Sequence, residues 1–452
     1  MNKFFLSVLF ILTTSFLFAT HNRSGEITYR QIDDLTIEAT VTTFTKASSA
    51  SADRDSLTLC WGDGNCDFIF RVNGQNQNGE LLDNDFKRNK YIAVHTFAAE
   101  GNYVLSMTDP LRNFGILNIN NGFSDSVPFY IETEFSLTAE INNTPILLQE
   151  PIDVAYLGQP FVHVINAFDE EGDSVAYRMI APLAEAGIPV LNYAEVTEIG
   201  AGDENNLTFD EETSLLIWDA PQIPGEYNIA FEILTFRDGI LNGRIVRDVQ
   251  ILVLEMPNLL CDISTNFGGN EDVINVSVGD IVNMEITASN AEQALTLSST
   301  SGLYDFFSTP PTLDLINQNE NIVNAVFNWE VQEEHIREHP YQVVFKANDD
   351  FGLANYAVRR FRVLGFLDNT NEPEIANNFT LYPNPATDKL IIKVEADDFR
   401  KGEYSIWDAR GRRVQTGIFS NATEHYIDIV PLPQGIYFLR IEGKVIGKFV
   451  RT

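Results

Sequence analysis

The sequence contains little cysteine, little histidine and few basic side chains. It has 3 Cys and 6 His among 452 residues, and 30 basic side chains stand against 64 acidic ones, which gives a net charge of −34. Such a surface repels phosphate backbones and anionic head groups, so we expect neither nucleic acid nor an acidic membrane surface as a partner. Long apolar runs are absent after Phe18, so we expect no integral membrane segment in the mature protein.

The apolar content is nevertheless high enough to build several cores. Hydrophobic residues make up 44% of the sequence, and it contains 32 Phe, which excludes global disorder. The length corresponds to about three domains. Residues 374–452 hold 11 basic and 10 acidic side chains, so the whole negative net charge lies in the first 373 residues. This charge step predicts an acidic body followed by a near-neutral C-terminal unit.

The first 19 residues have the layout of a secretory signal peptide. Lys3 precedes an apolar run from Phe4 to Phe18, and the small residues Ala19 and Thr20 follow. The run of about fifteen residues is shorter than the roughly 20 residues of a membrane-spanning helix. An uncleaved anchor is the alternative interpretation. We therefore expect an exported protein.

Two of the cysteines flank a glycine-rich turn. Cys60 and Cys66 enclose the sequence Trp-Gly-Asp-Gly-Asn, a turn that could bring two strand ends together. In an oxidising compartment this arrangement predicts a disulfide bond. The same pair is weak support for zinc, because no further Cys and no suitably spaced His accompany it. Cys261 is then left as a buried hydrophobic side chain.

One local pattern recurs along the acidic body. A turn, a Tyr and an alternating strand follow one another at Tyr103, Tyr227 and Tyr341, at spacings of 124 and 114 residues. Each spacing is close to the length of one Ig-like domain. The pattern predicts a tyrosine corner, in which the hydroxyl bonds back to the preceding loop and the ring packs in the core. The alternative is that Tyr simply favours strands.

The predicted fold class is all-β, with tandem Ig-like β-sandwiches followed by a small C-terminal β-sandwich. Short strands separated by Gly, Asn and Asp clusters dominate residues 21–365, and no long helical periodicity occurs. Trp218 and Trp329 lie in apolar strands, where we expect core anchors rather than ligand platforms. The predicted ranges are 1–19 for the signal peptide, 20–139, 140–256 and 257–366 for three sandwiches, 367–377 for a linker and 378–452 for the last unit.

The first sandwich contains a Trp-Gly-Asp-Gly turn at Trp61 and a His-Thr-Phe segment at His95 that leads to Gly-Asn-Tyr at Tyr103. With these two motifs it resembles a PKD-type Ig-like domain. It implies that Asp63 and its glycines shape a tight turn, with no catalytic role. The insertion Asn73–Lys90 departs from the compact pattern, and it is either a carrier of binding specificity or a polar loop.

The second sandwich begins with Asn142-Asn143-Thr144-Pro145 and continues to an acidic turn from Asp169 to Asp173. In these features it resembles the cadherin-like domains of bacterial surface proteins, which combine an interdomain Asn-x-x-Pro with an Asp-rich turn. Calcium needs six to eight oxygen ligands, and acidic residues clustered at a domain junction could supply them. The alternative is a solvated acidic turn. The corresponding stretch of the third sandwich, Ala288–Glu292, has lost most of its acids, which argues against calcium along the whole chain. The candidate calcium ligands are Glu140, Asn142, Asp169, Glu171 and Asp173.

The last 75 residues of the sequence carry a set of turn and strand motifs. The motif residues are Tyr382, Pro383, Asn384 and Pro385 at the start, Gly411 in a central turn, and Gly435 and Tyr437 in a late strand. With these motifs, residues 378–452 resemble the type A C-terminal sorting domain of the Bacteroidota type IX secretion system; an ordinary terminal Ig-like module is the alternative. The resemblance implies Sec export to the periplasm, passage across the outer membrane, and the type IX secretion machinery as a partner. It also implies that this domain is usually removed and the passenger released or attached to the surface.

One segment of the sequence has the spacing of a catalytic zinc motif. His335 to His339 fits the His-x-x-Glu-His spacing of inverted zinc peptidases, a chemistry that requires both His on one helix face. Pro340 and the corner residue Tyr341 follow at once and leave no room for that helix. The sequence has no Gly-x-Ser-x-Gly nucleophile turn and no phosphate-binding Gly-rich loop. We therefore predict that the protein is not an enzyme.

Two functional hypotheses remain. The first is a non-enzymatic secreted or cell-surface protein that serves adhesion, the envelope or gliding and that binds a surface glycan or protein. The second is a secreted hydrolase or carbohydrate-binding accessory protein with its site in long loops such as Asn73–Lys90 or Ile180–Asn206. We predict no cofactor other than calcium.

Overall fold

The computed structural model describes most of the chain. The described residues are 22–49, 53–200, 202, 204–255, 259–267, 273–290, 293–319, 321–365, 379–394, 401–408, 413–420, 424–441 and 444–452. The predicted signal peptide, the linker and Gly411 lie outside these residues. The regular elements in the described ranges are β-strands and short 3-10 turns, so the all-β fold class is confirmed. The 3-10 turns are Gln75–Gln77, Asn120–Gly122, Ser124–Ser126, Val196–Glu198 and Glu333–His335.

The chain divides into two compact units. The first comprises residues 1–274 and 280–362, and the second comprises residues 275–279 and 363–452. The three predicted sandwiches thus contribute to one compact unit, and the predicted boundaries between them stay predictions.

The first sandwich is built from eight of the described strands. In β2, Ile37, Ala39 and Val41 are buried while the residues between them are half-exposed, and this alternation places one face of the strand on the core. Trp61 is fully buried in the same core. The strands are β1 (Asn22–Asp33), β2 (Thr36–Lys46), β3 (Ser56–Cys60), β4 (Cys66–Phe70), β5 (Glu80–Leu81), β6 (Phe86–Thr96), β7 (Gly101–Asp109) and β8 (Phe129–Leu137).

The second sandwich has two long strands and several short ones. Its core contains Trp218 and Tyr227, whose ring centroids lie 5.1 Å apart. The strands are β9 (Ile146–Leu147), β10 (Ile152–Tyr156), β11 (Phe161–Val164), β12 (Ala167–Phe168), β13 (Ser174–Ile180), β14 (Leu183–Glu185), β15 (Ile188–Pro189), β16 (Leu207–Phe209), β17 (Leu215–Trp218), β18 (Gly225–Arg237) and β19 (Ile240–Leu254).

One strand joins the first two sandwiches into a continuous sheet. β19 pairs along its length with β18, and its other edge pairs with strands of both sandwiches. Along that edge Gly243–Ile245 face β8, Asp248 faces β1, and the end of the strand runs parallel to β10. The sheet reaches from β4 and β3 through β7, β8, β19, β1, β2 and β6 to β5. No local sequence pattern predicts this continuity, because it depends on the pairing of strands that are far apart in the chain.

The third sandwich consists of two four-stranded sheets, in the orders β20-β22-β25-β24 and β21-β27-β26-β23. Trp329 is buried in its core beside Phe361, so both predicted tryptophan anchors are confirmed. Cys261 is buried as expected, and burial raises the pKa of its thiol to about 11. The strands are β20 (Asp262–Thr265), β21 (Val273–Ser277), β22 (Ile281–Ser289), β23 (Leu295–Thr300), β24 (Thr312–Asn319), β25 (Ile322–Glu330), β26 (Tyr341–Asp349) and β27 (Ala354–Leu364).

The second compact unit contains the predicted small C-terminal sandwich. Its sheets have the orders β28-β29-β32 and β31-β30-β33-β34. Leu390, Ile406 and Leu439 are among the fully buried residues of the core between them. The strands are β28 (Phe379–Tyr382), β29 (Lys389–Val394), β30 (Lys401–Asp408), β31 (Arg413–Ser420), β32 (Glu424–Asp428), β33 (Gly435–Ile441) and β34 (Lys444–Arg451).

The predicted tyrosine corners are present in all three sandwiches of the first unit. In each case the tyrosine hydroxyl donates to a backbone carbonyl of the turn before its strand, which fixes that turn against the core. The bonds run from Tyr103 to Ala99 (2.8 Å), from Tyr227 to Ile223 (2.7 Å) and from Tyr341 to His335 (2.9 Å). The tyrosine pattern therefore identified a structural role correctly.

Candidate functional site

The hairpin of β3 and β4 is an exposed element of the first sandwich that a disulfide bond and a tight turn brace. Cys60 and Cys66 face each other across the two strands and form a disulfide bond, as predicted. Gly62 has a φ of +82°, and a Cβ there would lie 2.6 Å from the backbone nitrogen of Val104, so only glycine fits this turn. The turn cannot easily change shape.

Side chains within the turn add further constraints. The Asp63 carboxylate accepts a bond from the Asn65 backbone N–H at 2.9 Å, and its other oxygen lies 2.8 Å from Nε2 of His95. Burial alone would raise the pKa of Asp63, but these hydrogen bonds outweigh it and lower the pKa. Trp61 stacks on the His95 ring at 4.6 Å and donates to Asp67 at 2.8 Å. Asp63 thus shapes the turn.

Two phenylalanines stand exposed on the braced hairpin. Phe68 and Phe70 are 64% and 59% exposed, whereas Ile69 between them faces the core. Their ring centroids lie 5.8 Å apart in an edge-to-face arrangement. Exposed aromatic side chains held on a rigid strand are typical of binding surfaces. The sequence analysis missed this pair, although the alternation of Phe, Ile and Phe along β4 could have revealed it.

A groove of about 550 Å³ opens beside Phe68 at one end of the first sandwich. Asp109 lies within it and accepts bonds from Asn22 (2.8 Å) and from Arg54, whose Nε lies 3.0 Å away. Tyr91 donates its hydroxyl to the Arg54 carbonyl at 2.7 Å, and burial raises the pKa of Tyr91 to about 12. The groove is therefore polar, with an aromatic rim.

A second ion cluster supports the rim of this groove. Asp53 lies 2.5 Å from Nη1 of Arg71 and 2.5 Å from Nζ of Lys87, and both cations are almost fully buried. Burial would raise the pKa of Asp53, but the bonds from Lys87 and Arg71 outweigh it and lower the pKa. Arg71 also donates to the Gln77 carbonyl at 2.6 Å, so the insertion Asn73–Lys90 is fastened to the sandwich.

The residues predicted to bind calcium lie around an arginine. Arg237 donates to Asp173 at 2.9 and 3.0 Å and to Asn142 at 3.0 Å, and Glu140 lies 3.3 Å from its Nη1. Among the described residues, no group of three or more His, Cys, Asp or Glu is placed to hold a metal ion. The structure thus brings Glu140, Asn142 and Asp173 together around a protein cation, and calcium binding stays a prediction.

The other two predicted calcium ligands face different partners. Glu171 accepts a bond from Asn143. Asp169 is 1% exposed, and one of its oxygens accepts the Asp173 backbone N–H at 2.9 Å while the other is buried without a hydrogen-bond partner. Burial, reinforced by the charges of Asp173 and Glu171, raises the pKa of Asp169 to about 6. Asp169 is thus the carboxylate of this cluster whose charged form is disfavoured by its surroundings.

The His-x-x-Glu-His segment adopts no α-helix. His335 ends the 3-10 turn Glu333–His335 and is fully buried, and its Nδ1 accepts the Gln332 backbone N–H at 2.9 Å. His339 instead lines a separate cavity of about 320 Å³. The helix on which that zinc motif depends is replaced here by a turn that the Tyr341 corner anchors.

The second long loop is a docking element between sandwiches. β14 and β15 form a small hairpin within Ile180–Asn206, and Leu183 pairs with Tyr130 of β8. Tyr130, Leu183 and Val246 share a small buried cluster. The loop therefore holds the second sandwich on the first, and this part of it is not a free binding loop.

In the second unit, the opening motif is fastened to the last strand. Asn384 donates to the Lys448 carbonyl and accepts from the Val450 backbone N–H, both at 2.9 Å. Tyr382 donates its hydroxyl to Glu424 at 2.5 Å. The segment from Tyr382 to Pro385 is thus hydrogen-bonded to β34, the edge strand of its sheet.

Tyr437 forms a fourth tyrosine corner. Its hydroxyl donates to the Pro433 carbonyl at 2.6 Å, and Gly435 begins the strand that follows this turn. The motif residues within the described ranges therefore shape the fold of this unit.

The comparisons with known proteins agree with the resemblance of residues 378–452 to a C-terminal sorting domain. Residues 380–450 match the model of the family described as the secretion system C-terminal sorting domain. No match was found among curated proteins.

Several solved structures are similar at low identity. The N-terminal Ig1-2 module of the Drosophila receptor protein tyrosine phosphatase DLAR is 12% identical, with 49% of this chain and 99% of that chain covered and a TM-score of 0.18. Dpr2 Ig1-Ig2 in complex with DIP-Theta is 9% identical (72% and 94% covered, TM-score 0.18). An endo-fucoidan hydrolase of glycoside hydrolase family 107 is 13% identical (73% and 42% covered, TM-score 0.17). The fold assignment therefore rests on this chain's own strands.

No helix in the described ranges is long and apolar enough to cross a membrane. The match of residues 380–450 to the sorting-domain family gives the location of the protein. The chain carries a C-terminal sorting domain of the type IX secretion system, and it is exported to the cell surface or released from the cell.

Proposed function

We propose that this is a non-enzymatic surface or secreted protein that binds a glycan or protein partner through the first sandwich. Adhesion, envelope or gliding-related contact is the role that such binding serves. The PKD-like and cadherin-like assignments of the first two sandwiches belong to the same proposal. The exposed pair Phe68 and Phe70 on the disulfide-braced hairpin is the observation that carries it.

Two properties of Phe68 and Phe70 favour binding: the rings are exposed to water, and the hairpin that carries them is rigid. Keeping two aromatic rings in water is unfavourable, and each ring would release ordered water on contact with a partner. The disulfide and the locked turn hold the rings in place, so little conformational entropy is lost on binding. The polar groove beside Phe68 supplies hydroxyl and carboxylate groups for hydrogen bonds. Aromatic rings next to such groups suit sugar rings and protein loops alike.

A secreted hydrolase or carbohydrate-binding accessory protein is the second candidate. Asp53, Asp55 and Asp109 all line the groove beside Phe68, and paired carboxylates are the usual groups of glycoside hydrolysis. Asp53 and Asp109 are already held by buried cations and by Arg54, which favours a binding role over a catalytic one.

A glycan array and a panel of polysaccharide turnover assays on the purified passenger test the proposal. We expect binding without turnover. The double variant F68S/F70S should bind about tenfold more weakly, because it removes the aromatic contact. Phe123 is 64% exposed at another place, so F123S is the matched control and should bind as the wild type does. Turnover of any polymer, or equal loss in F123S, would overturn the proposal.

A further inference from the structure

The outer face of the sheet β31-β30-β33-β34 carries a row of side chains that the fold does not require. Trp407 pairs with Arg413 on one side and with Phe438 on the other, and Phe438 pairs with Lys448. Opposed residues of an antiparallel pair share a face. A cation, two aromatic rings and a second cation therefore cross all four strands in one line.

The inner face of the same sheet already supplies the core. Tyr404, Ile406 and Leu439 alternate with this row and are buried, whereas Trp407 and Phe438 are only half-buried. Arg413 is exposed, and so is Ile436, which lies beside Phe438 on the same face. The aromatic row thus lies on the solvent side of a complete sandwich.

Among the side chains of this face that the structure describes, the charges are of one sign. The guanidinium of Arg440 stacks over the Trp407 ring at 4.7 Å, and Nε of Arg440 is buried without a hydrogen-bond partner. Asp408 is the one carboxylate among the described side chains of this sheet, and it pairs with the buried Tyr437 on the inner face. Arg413, Arg440 and Lys448 therefore face outward without a carboxylate beside them in the described part of the sheet.

The outer face of the other sheet is different. On it Glu424 accepts from Tyr382 and Tyr426, and Lys389 lies over the Tyr426 ring at 5.5 Å. Its charges and hydroxyls are paired with one another. The two sheets of this small domain therefore differ in their outer faces, and the face that carries Trp407 is the one with unpaired cations among its described side chains.

We propose that the face formed by Arg413, Trp407, Phe438, Arg440 and Lys448 docks the sorting domain onto an acidic protein surface of the export machinery. The proposal rests on the sorting function of this domain and names the surface that performs it. Tryptophan and arginine are the residues most enriched where protein interfaces are strongest, and three unpaired cations require a partner rich in Asp and Glu. Burial of the Trp407–Arg440 stack would supply the apolar contact, and the partner's carboxylates would pair with the exposed cations Arg413 and Lys448.

Export of the full-length protein in its own bacterium tests the face with matched variants. R413E/K448E reverses two charges on the proposed face, and K389E/K393E reverses two on the other sheet. W407A and Y426A form the aromatic pair. The readout is the fraction of passenger outside the cell against the fraction in the periplasm, with wild type and a deletion of 378–452 as limits. We expect R413E/K448E and W407A to lower the exported fraction about tenfold and the controls to export normally.

Two results would contradict the proposal. Normal export of the Trp407-face variants would exclude this face, and an equal loss in K389E/K393E would assign the effect to net charge. Circular dichroism of the purified variants checks folding, and loss of export counts only for a folded variant. Should W407A fail to fold, R413E/K448E carries the test, because exposed charges leave the core intact. Normal export of the protein that lacks residues 378–452 would reject the sorting function itself. That outcome is distinct from a result that excludes only the Trp407 face.

Binding of the purified full-length protein to outer-membrane vesicles identifies the partner chemistry. We expect binding that falls about tenfold in R413E/K448E, weakens in about 0.5 M salt and is abolished by protease treatment of the vesicles. Phosphatidylglycerol vesicles without protein are the lipid probe, and equal binding to them would overturn the assignment to a protein. Binding to the separately purified acidic passenger alone would overturn it in favour of an internal contact.

Discussion

At the scale of single residues, Asp169 shows how burial changes a carboxylate. One oxygen has a backbone partner and the other has none, and two further acids lie close by. These surroundings disfavour the charged form, so the pKa rises to about 6. The folded state therefore holds a proton at Asp169 that the unfolded chain, with a pKa near 3.9, has already released.

The sign of the resulting pH dependence follows from linkage. Because the folded pKa is raised, the stabilising contribution of protonated Asp169 is complete below about pH 4 and is lost as pH rises through about 6. We expect the wild type to lose about 2–3 kcal/mol relative to D169N between these limits, at 1.36 kcal/mol per pKa unit. Urea unfolding of both proteins across this range measures the difference. The exposed D33N is the control for charge removal, and a flat difference for D169N would contradict the prediction.

Arg237 contacts two of the predicted calcium ligands, so replacing it tests whether calcium can bind there. Its guanidinium neutralises Asp173 and contacts Asn142, so it supplies the positive charge that a calcium ion would otherwise bring. We expect R237Q to lower the free energy of unfolding by about 2 kcal/mol, because charge-assisted bonds to a buried carboxylate are lost.

Calcium should then stabilise R237Q more than it stabilises the wild type. Thermal unfolding with calcium, magnesium or a chelator measures this, with magnesium as the control for ionic strength. An identical shift in both proteins would contradict the role assigned to Arg237. Direct calcium titration of the wild type tests the original calcium prediction.

At the scale of elements, the tyrosine corners fasten the turn before a late strand. Tyr227 is fully buried and its hydroxyl reaches Ile223 at 2.7 Å. In Y227F the carbonyl of Ile223 loses its partner while the ring stays packed. We expect a loss of about 1 kcal/mol in the free energy of unfolding.

Tyr103 offers a matched comparison, because its bond to Ala99 is exposed to water. Water can replace that hydroxyl, so Y103F should cost clearly less than Y227F when both are measured by urea unfolding. Equal costs would mean that the hydroxyl bond is not what the buried corner contributes.

At the scale of the whole molecule, β19 and its buried charges join the first two sandwiches. Asp248 on β19 is 1% exposed and pairs with Arg112 at 2.7 Å, and Arg112 is itself fully buried. Arg112 also donates to the Leu183 carbonyl of the docking loop at 3.1 Å. Two sandwiches that share a sheet and a buried ion pair are expected to unfold together rather than as separate domains.

Removing one partner of this pair gives a large expected effect. D248A leaves the Arg112 guanidinium buried without its carboxylate, so we expect a loss of about 3–5 kcal/mol. The double variant R112M/D248L, which removes both charges, should recover most of that loss. Urea unfolding followed by tryptophan fluorescence measures both, since Trp61 and Trp218 report on the two sandwiches. A D248A cost below about 1 kcal/mol would contradict the joint core.

Sequence patterns predicted features whose cause is local. The alternation in β2, the Gly62 turn between Cys60 and Cys66, and the Tyr after each turn depend on side chains a few positions apart. The period of a strand and the backbone limits of a tight turn act over that distance. For the same reason the sorting domain, whose turns follow one another in order, was recognisable from residues 378–452.

The remaining features depend on contacts between residues that are far apart in the sequence. Whether an acidic residue faces a metal or an arginine depends on partners about a hundred residues away, as for Asn142 and Arg237. The same holds for the docking of Leu183 on Tyr130 and for the sharing of β19 between two sandwiches.

The sequence by itself determined that this protein is all-β, disulfide-braced and carries an export domain, because strand period, turn chemistry and a C-terminal motif are written locally. Only the tertiary structure decided that two sandwiches form one sheet, that Arg237 lies within the acidic cluster, and that Trp407 faces outward between two cations. Each of these depends on which strands pair and in what register, and a one-residue shift in register would turn every side chain to the other face.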